Sequence, residues 1–382
     1  SFNTAYSTFQ GLRPHFDALA RVGYFKIVLK SVSSTKQFLH DGYRLILSVF
    51  ILMYNIQHVI QVIQVRHRTN LIVDTLFILL TTLNSLGKQA AFNLRSRRID
   101  EIISIINGPG FAASKAYHVE VLKENALVMS RLLTLYHVAI FSCGSMWTVF
   151  PIVNRVLGEE VQFGLALAYM SILITFQAYG NVTMDCTIVA FYAQAKIQIQ
   201  MLRYNLEQLV ESEDPVKISS QLIKRSNQST SYKDEENDNT EIQERLKKCV
   251  VHYNQIVRFA KEIESIFGEA MVVQFFVMAW VICMTMYKIV GLSIISAEFV
   301  SMAIYLGCML AQLFIYCYFG TQLKVESEFV NQSIYCSEWL CLSPRFRRQL
   351  LVIMQCCARP LAPRTAYVIP MSLDTYIAVI TK

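Results

Sequence analysis

Six stretches of this 382-residue chain are apolar for about 20 residues or more, the length a helix needs to cross a bilayer's hydrocarbon core. They run over 42–64 (GYRLILSVFILMYNIQHVIQVIQ), 70–92, 131–153, 164–190, 266–291 and 294–320. Inside lipid every backbone N–H and C=O must find a partner within the protein, so runs this long read as spanning α-helices. Composition agrees: 54% of residues are hydrophobic and 16% charged, with mean hydropathy +0.37. A soluble domain holds about 45–50% apolar and about 25% charged residues, and one with this excess would expose aggregating patches. A seventh run begins near Val368 and reaches Lys382. Its dozen or so helical residues cover roughly 18 Å, which is too short to span. The expectation is an all-α membrane protein of seven spans whose last helix is incomplete.

Charge gives this bundle a direction. Thirty of the 35 Lys and Arg fall on the side that holds the N-terminus. The other side carries only Arg66, Arg68, Arg155, Lys288 and Lys382. Basic loops stay in the cytosol, so the N-terminus is expected there. A G-protein-coupled receptor has the opposite orientation, and no Asp/Glu-Arg-Tyr ends the third span. The net charge of +7 gathers on no nucleic-acid motif. The first 40 residues lack an apolar core of the kind a cleavable signal carries, so the first span itself would direct insertion into the bilayer. The chain divides into a cytosolic segment 1–41, spans one to four with a cytosolic extension over 42–210, a polar loop 211–241, spans five and six over 242–320, and a remainder 321–382. The loop is rich in Ser, Asn and Asp and reads as disordered. Residues 186–210 and 242–265 keep helical periodicity and carry spans four and five beyond the membrane. The sequons at Asn181 and Asn227 fall in a span and in a cytosolic loop, where neither would be glycosylated.

Catalytic chemistry is missing from the pattern. No P-loop, GxSxG or HExxH is present, and the seven histidines are scattered. The ten cysteines form no CxxC pair and read as reduced, packed thiols. No enzyme, metal or cofactor is expected, and no internal repeat or pair of broken helices points to a transporter. Ionisable residues within spans are functional candidates. Asp74 lies near the outer end of span two and Glu298 opens span six, where a carboxylate suits the helix N-terminus. Asp185 lies deeper in span four, placed to bond a neighbouring helix or line a wet cavity. The outer halves of four spans combine aromatics, Met and a few hydroxyls, the lining a small apolar ligand would use. Span two offers Phe77, Ile78, Thr81 and Thr82. Span three offers Phe141, Ser142, Ser145, Met146, Trp147 and Phe150. Span four offers Tyr169, Met170, Leu173 and Phe176, and span six Met302 and Tyr305. Such residues also pack ordinary membrane cores.

The stretch AQLFIYCYFGTQLKVESEFVNQSIYCSEW at 311–339 resembles the insect odorant receptor family. Within it, Tyr318-Phe319-Gly320, Glu326-Ser327 and Tyr335 through Trp339 follow the family pattern. FRRQLLVIMQCCARPL at 346–361 and MSLDTYIAVI follow in order, and CVVHYNQIVRFAKEIESIF at 249–267 resembles the family's entry into helix five. The resemblance is strong over about 245–380 and only topological before that. It implies seven helices, an inward N-terminus and a heteromeric tetramer with the odorant receptor co-receptor in the plasma membrane of a sensory dendrite. It implies a small hydrophobic volatile bound in the outer halves of helices two to six. The cytosolic ends of helices four to six and the first half of helix seven would form an inter-subunit anchor, and the second half of helix seven a cation pore. The loop between spans four and five is shorter than the co-receptor's, so the chain is similar to a ligand-tuning subunit. The sister gustatory family is the alternative. Thr375-Tyr376 starts its helix-seven signature, but the Phe319-Gly320 to Trp339 block favours the odorant branch.

Overall fold

The computed structural model describes residues 7–27, 34–67, 69–155, 161–210, 232–291, 297–337, 339–365 and 369–381. Ten α-helices are described: α1 (Arg13–Arg21), α2 (Ser34–Val65), α3 (Thr69–Leu94), α4 (Ser96–Ile106), α5 (Ala116–Arg155), α6 (Val161–Glu207), α7 (Tyr232–Val290), α8 (Ala297–Cys336), α9 (Pro344–Cys357) and α10 (Leu373–Thr381). A two-stranded antiparallel hairpin, β1 (Arg364–Thr365) and β2 (Ile369–Pro370), pairs Arg364 with Pro370 and Thr365 with Ile369. The six expected spans coincide with α2, α3, α5, α6, α7 and α8. Four of these helices are long and apolar enough to cross a membrane over their described residues: Ser34–Val65, Ala116–Ser145, Thr240–Val290 and Phe299–Cys336.

Four helices greatly exceed bilayer thickness. At 40, 47, 59 and 40 residues, α5, α6, α7 and α8 are about 60, 70, 90 and 60 Å long against a hydrocarbon core of about 30 Å. Their extensions pack together at the end carrying most of the Lys and Arg, here termed the basic end. There Arg203 of α6 donates to Glu326 of α8 at 2.5 Å and to Ser333 at 3.0 Å, and Ser333 donates on to Glu207 at 2.7 Å. Arg95 and Arg98 bridge to Glu269 and Glu262 of α7 at 2.6 and 2.7 Å. The centre of the molecule is α6, which touches α1, α2, α3, α5, α7 and α8. Residues 182–195 of α6 are buried at every position, so no polar stripe is left for water or lipid. On α2 the apolar side chains point outward instead, with Leu45, Ile46 and Ile63 exposed as a lipid-facing surface requires.

Several boundaries differ from expectation. Helix α2 begins at Ser34 rather than 42, α5 at Ala116 rather than 131 and α7 at Tyr232 rather than 242, and α8 continues to Cys336, past the expected end at 320. Part of the loop read as disordered, 211–231, lies outside the described residues; from Tyr232 the chain is helical. The N-terminal segment is also no loose tail. Helix α1 ends in a Schellman motif: Tyr24 N–H donates to the Leu19 carbonyl and Gly23 N–H to that of Ala20, with Gly23 at φ +71°. The turn sends Tyr24 and Phe25 into the bundle. A Cβ at Gly180 of α6 would stand 2.6 Å from the Tyr24 ring, so that glycine is what admits it. Phe16 packs edge-on against Phe191, and Phe25 against Phe92.

Candidate functional site

The deepest chemistry in the bundle is one ion pair and the groups around it. Asp185 of α6 accepts at Oδ1 from Lys88 Nζ of α3 and from the Tyr316 hydroxyl of α8, each at 2.5 Å. Its Oδ2 accepts from Gln312 Nε2. Gln312 and Tyr316 are four residues apart and so share one face of α8. The side chains of Lys88 and Asp185 are 2% and 5% exposed. Three helices thus meet on one carboxylate. Beside it a cavity of about 10 Å³ is lined by Tyr136, Val182, Asp185, Cys186, Val189, Gln312, Ile315 and Tyr316. That is room for one water molecule at most.

Further polar contacts tie the same helices together. Asn84 of α3 donates to the Gln274 amide oxygen of α7, and Gln177 of α6 donates to the Thr82 carbonyl at 2.9 Å. His137 of α5 pairs with Thr183 of α6 at 2.9 Å and stacks on Tyr179 with ring centres 4.0 Å apart. Within a membrane such bonds act as glue between helices that gain little from apolar contact alone.

Lys88, inside span two and one of the 30 basic-side charges, is buried in the bundle and paired, so it does not mark a loop. A lysine so deep in the bundle is held because Asp185 faces it; unpaired, it would cost several kcal/mol. Asp185 itself was singled out, and its partners Lys88, Gln312 and Tyr316 were not. The available signal was charge complementarity, since spans two and four carry a Lys and an Asp within their apolar runs.

The expected ligand-lining residues lie nearer the opposite end of the bundle. From Leu173 to Asp185 is 12 residues along α6, about 18 Å. None of them lines the small cavity. Leu173 is buried, and Ile78, Thr81, Tyr169, Met170, Met302 and Tyr305 are half-buried. Phe176, Ser142 and Ser145 are exposed. The Thr81 hydroxyl bonds the Ile78 carbonyl at 2.8 Å, and that of Ser145 bonds the Ser142 carbonyl at 2.9 Å. The side chains of Phe77, Met146 and Phe150 lie outside the described set.

Residues 68–381 match the family model described as 7tm Odorant receptor. The chain belongs to the insect odorant receptor family. The match covers most of the receptor and decides between the odorant and gustatory branches. It is similar to odorant receptor 46a, isoform B, of Drosophila melanogaster, 23% identical over 81% of this chain and 78% of that protein. It is also similar to odorant receptor Or1 of Anopheles gambiae, 20% identical over 80% of this chain and 77% of the relative. In fold the receptor is similar to the insect olfactory receptor OR5 of Machilis hrabei, solved in complex with eugenol. That comparison has a TM-score of 0.81 at 13% identity and covers 97% of this chain and 94% of the other.

Proposed function

We propose that this receptor is the odorant-binding subunit of a ligand-gated, non-selective cation channel. It pairs with the odorant receptor co-receptor in a heteromeric tetramer, in the plasma membrane of a sensory dendrite, with its basic end in the cytosol. The observation that carries this reading is family membership across residues 68–381. The ligand is a small, neutral, hydrophobic volatile held at the end opposite the basic one. Tyr169, Met170 and Leu173 of α6, Ile78 and Thr81 of α3, and Met302 and Tyr305 of α8 face it, with Phe77, Ser142, Ser145, Met146, Phe150 and Phe176 completing the lining. Apolar burial contributes about 25 cal/mol per Å² to binding. The pore opens because the pocket grips the ligand more tightly in the open state than in the closed one.

Co-expression with a co-receptor and recording of cation current under a broad volatile panel tests this directly. An odorant-evoked current is expected, and none across the panel would sink the reading. Alanine at Met146, Phe150, Tyr169 or Leu173 is expected to shift the dose–response curve at unchanged surface level. Four superimposable curves would remove the pocket assignment and leave the family intact.

A further inference from the structure

The segment that joins α9 to α10 is held by side chains of two other helices, always through its backbone. Leu361 N–H donates to Ser327 Oγ of α8 at 2.8 Å. Arg364 N–H donates to Glu264 Oε1 of α7 at 2.7 Å. Leu373 N–H donates to Thr321 Oγ1 of α8 at 3.0 Å. Leu373 is the first residue of α10, and its N–H is one of the four donors that a helix start leaves without an intrahelical partner. Ser372 caps the same turn by accepting from Thr375 N–H at 3.4 Å. One further donor of that turn is therefore satisfied from outside, by α8.

Shape supports the bond. The residue before Thr321 is Gly320. A Cβ there would stand 2.8 Å from the Met371 Cβ and closer still to the Met371 carbonyl oxygen. Only glycine lets the backbone just ahead of α10 lie against α8. Met371 is buried in that contact, and its N–H donates to the Pro363 carbonyl at 3.0 Å, which closes the hairpin on itself. One turn further on, Tyr376 meets Phe314 of α8 edge-on, with ring centres 5.4 Å apart.

We propose that Gly320, Thr321 and Glu264 form a collar that docks residues 361–365 and 369–376 onto α7 and α8, so that displacement of those two helices moves the start of α10 with them. This coupling role rests on the channel reading above, in which α10 begins the pore helix. Thr321 and Glu264 are then positioning residues: they touch no odorant, and they set how much of a movement in α7 and α8 reaches α10.

The test compares Thr321→Val, which keeps the shape and loses the acceptor, with Thr321→Ser, which keeps the acceptor. Hydrogen exchange on the purified full chain reads the docking. Odorant-evoked current, normalised to surface level in cells with a co-receptor, reads the coupling. The expectation is that Thr321→Val exchanges about fivefold faster over 372–376, the loss of one net hydrogen bond. Its saturating current should fall about threefold or more, with Thr321→Ser like wild type in both. Gly320→Ala should raise exchange across 369–376 as well. Unchanged exchange in Thr321→Val overturns the docking, whatever the currents do. Faster exchange with an unchanged saturating current overturns the coupling, as does an equal current loss in Thr321→Ser. A wild type that passes no odorant-evoked current while the exchange difference persists overturns the channel reading and leaves the docking standing.

Discussion

Two polar clusters join α6 to α8, and they do so under opposite conditions. Around Asp185 the charges are sealed, with Lys88 and Asp185 exposed by 2% and 5%. Around Glu326 they meet water, with Arg203 exposed by 26% and Glu326 by 14%. Both pairs close at 2.5 Å, so geometry does not distinguish them. Surroundings do. Where water is absent, a lone charge has no other way to be solvated, and the pair, with Gln312 and Tyr316, behaves as a unit that must be kept whole. Where water is near, each charge retains an alternative, and the bond trims register more than it holds the helices together. The lesson is that the same donor–acceptor chemistry acts as an essential clasp in the span and as an adjustable tie outside it.

That contrast can be broken most severely at the clasp. Lys88→Met or Asp185→Asn alone removes half of the pair and is expected to destabilise by about 3–5 kcal/mol. Melting temperature in detergent and surface level should both fall, and Lys88→Met combined with Asp185→Leu should recover part of the loss. Single variants that melt like wild type would erase the distinction between the two clusters. A second test is pH at the basic end. Burial, and secondarily the neighbouring His118, holds the His252 imidazole down to about 4. Burial, then Lys115, does the same to His118, against an opposing bond from Asn205. Both bind protons more readily unfolded, with an ordinary value near 6.5, so stability is full above that pH and declines as pH falls from about 6.5 towards 4. His252→Gln, which can still bond Gln198, should flatten that decline; an unchanged slope would assign it to other groups. At the tie, a double-mutant cycle on Arg203 and Glu326 is expected to return about 1 kcal/mol, shrinking as salt is raised. The smallest effect belongs to Lys247 and Glu244, exposed by 71% and 59% and 3.8 Å apart. Their removal should change melting by less than about 0.5 kcal/mol.

What the sequence disclosed follows the range of the forces involved. Hydropathy is local, so the six spans and the lengthened fourth and fifth helices were legible from runs of side chains. The partners of Asp185 were not, because pairing depends on which faces α3 and α8 turn towards α6, and no run of residues encodes that. Lys88, near the end of its apolar run, therefore shows no partner in the sequence. For a similar reason the N-terminal segment reads only as cytosolic, with no contact assigned to it. It is too polar to span, and its burial is decided by Gly180 and Phe191, more than 150 residues away. Burial among the expected ligand-facing residues runs from the buried Leu173 to the exposed Ser142 and Ser145, a spread that an apolar run with hydroxyls does not encode.

The seat of Tyr24 against Gly180 sets an order of events during synthesis. Phe16, Leu19, Tyr24 and Phe25 leave the ribosome long before Gly180 and Phe191 exist. At 5–20 residues per second the delay is about 10–30 s. For that interval Phe16 and Tyr24 lack their native partners on α6, while α2, α3 and α5 are already being threaded into the bilayer. Maturation of this receptor therefore includes a waiting period, and whatever shelters residues 7–27 through it has as much influence on yield as the strength of any finished contact.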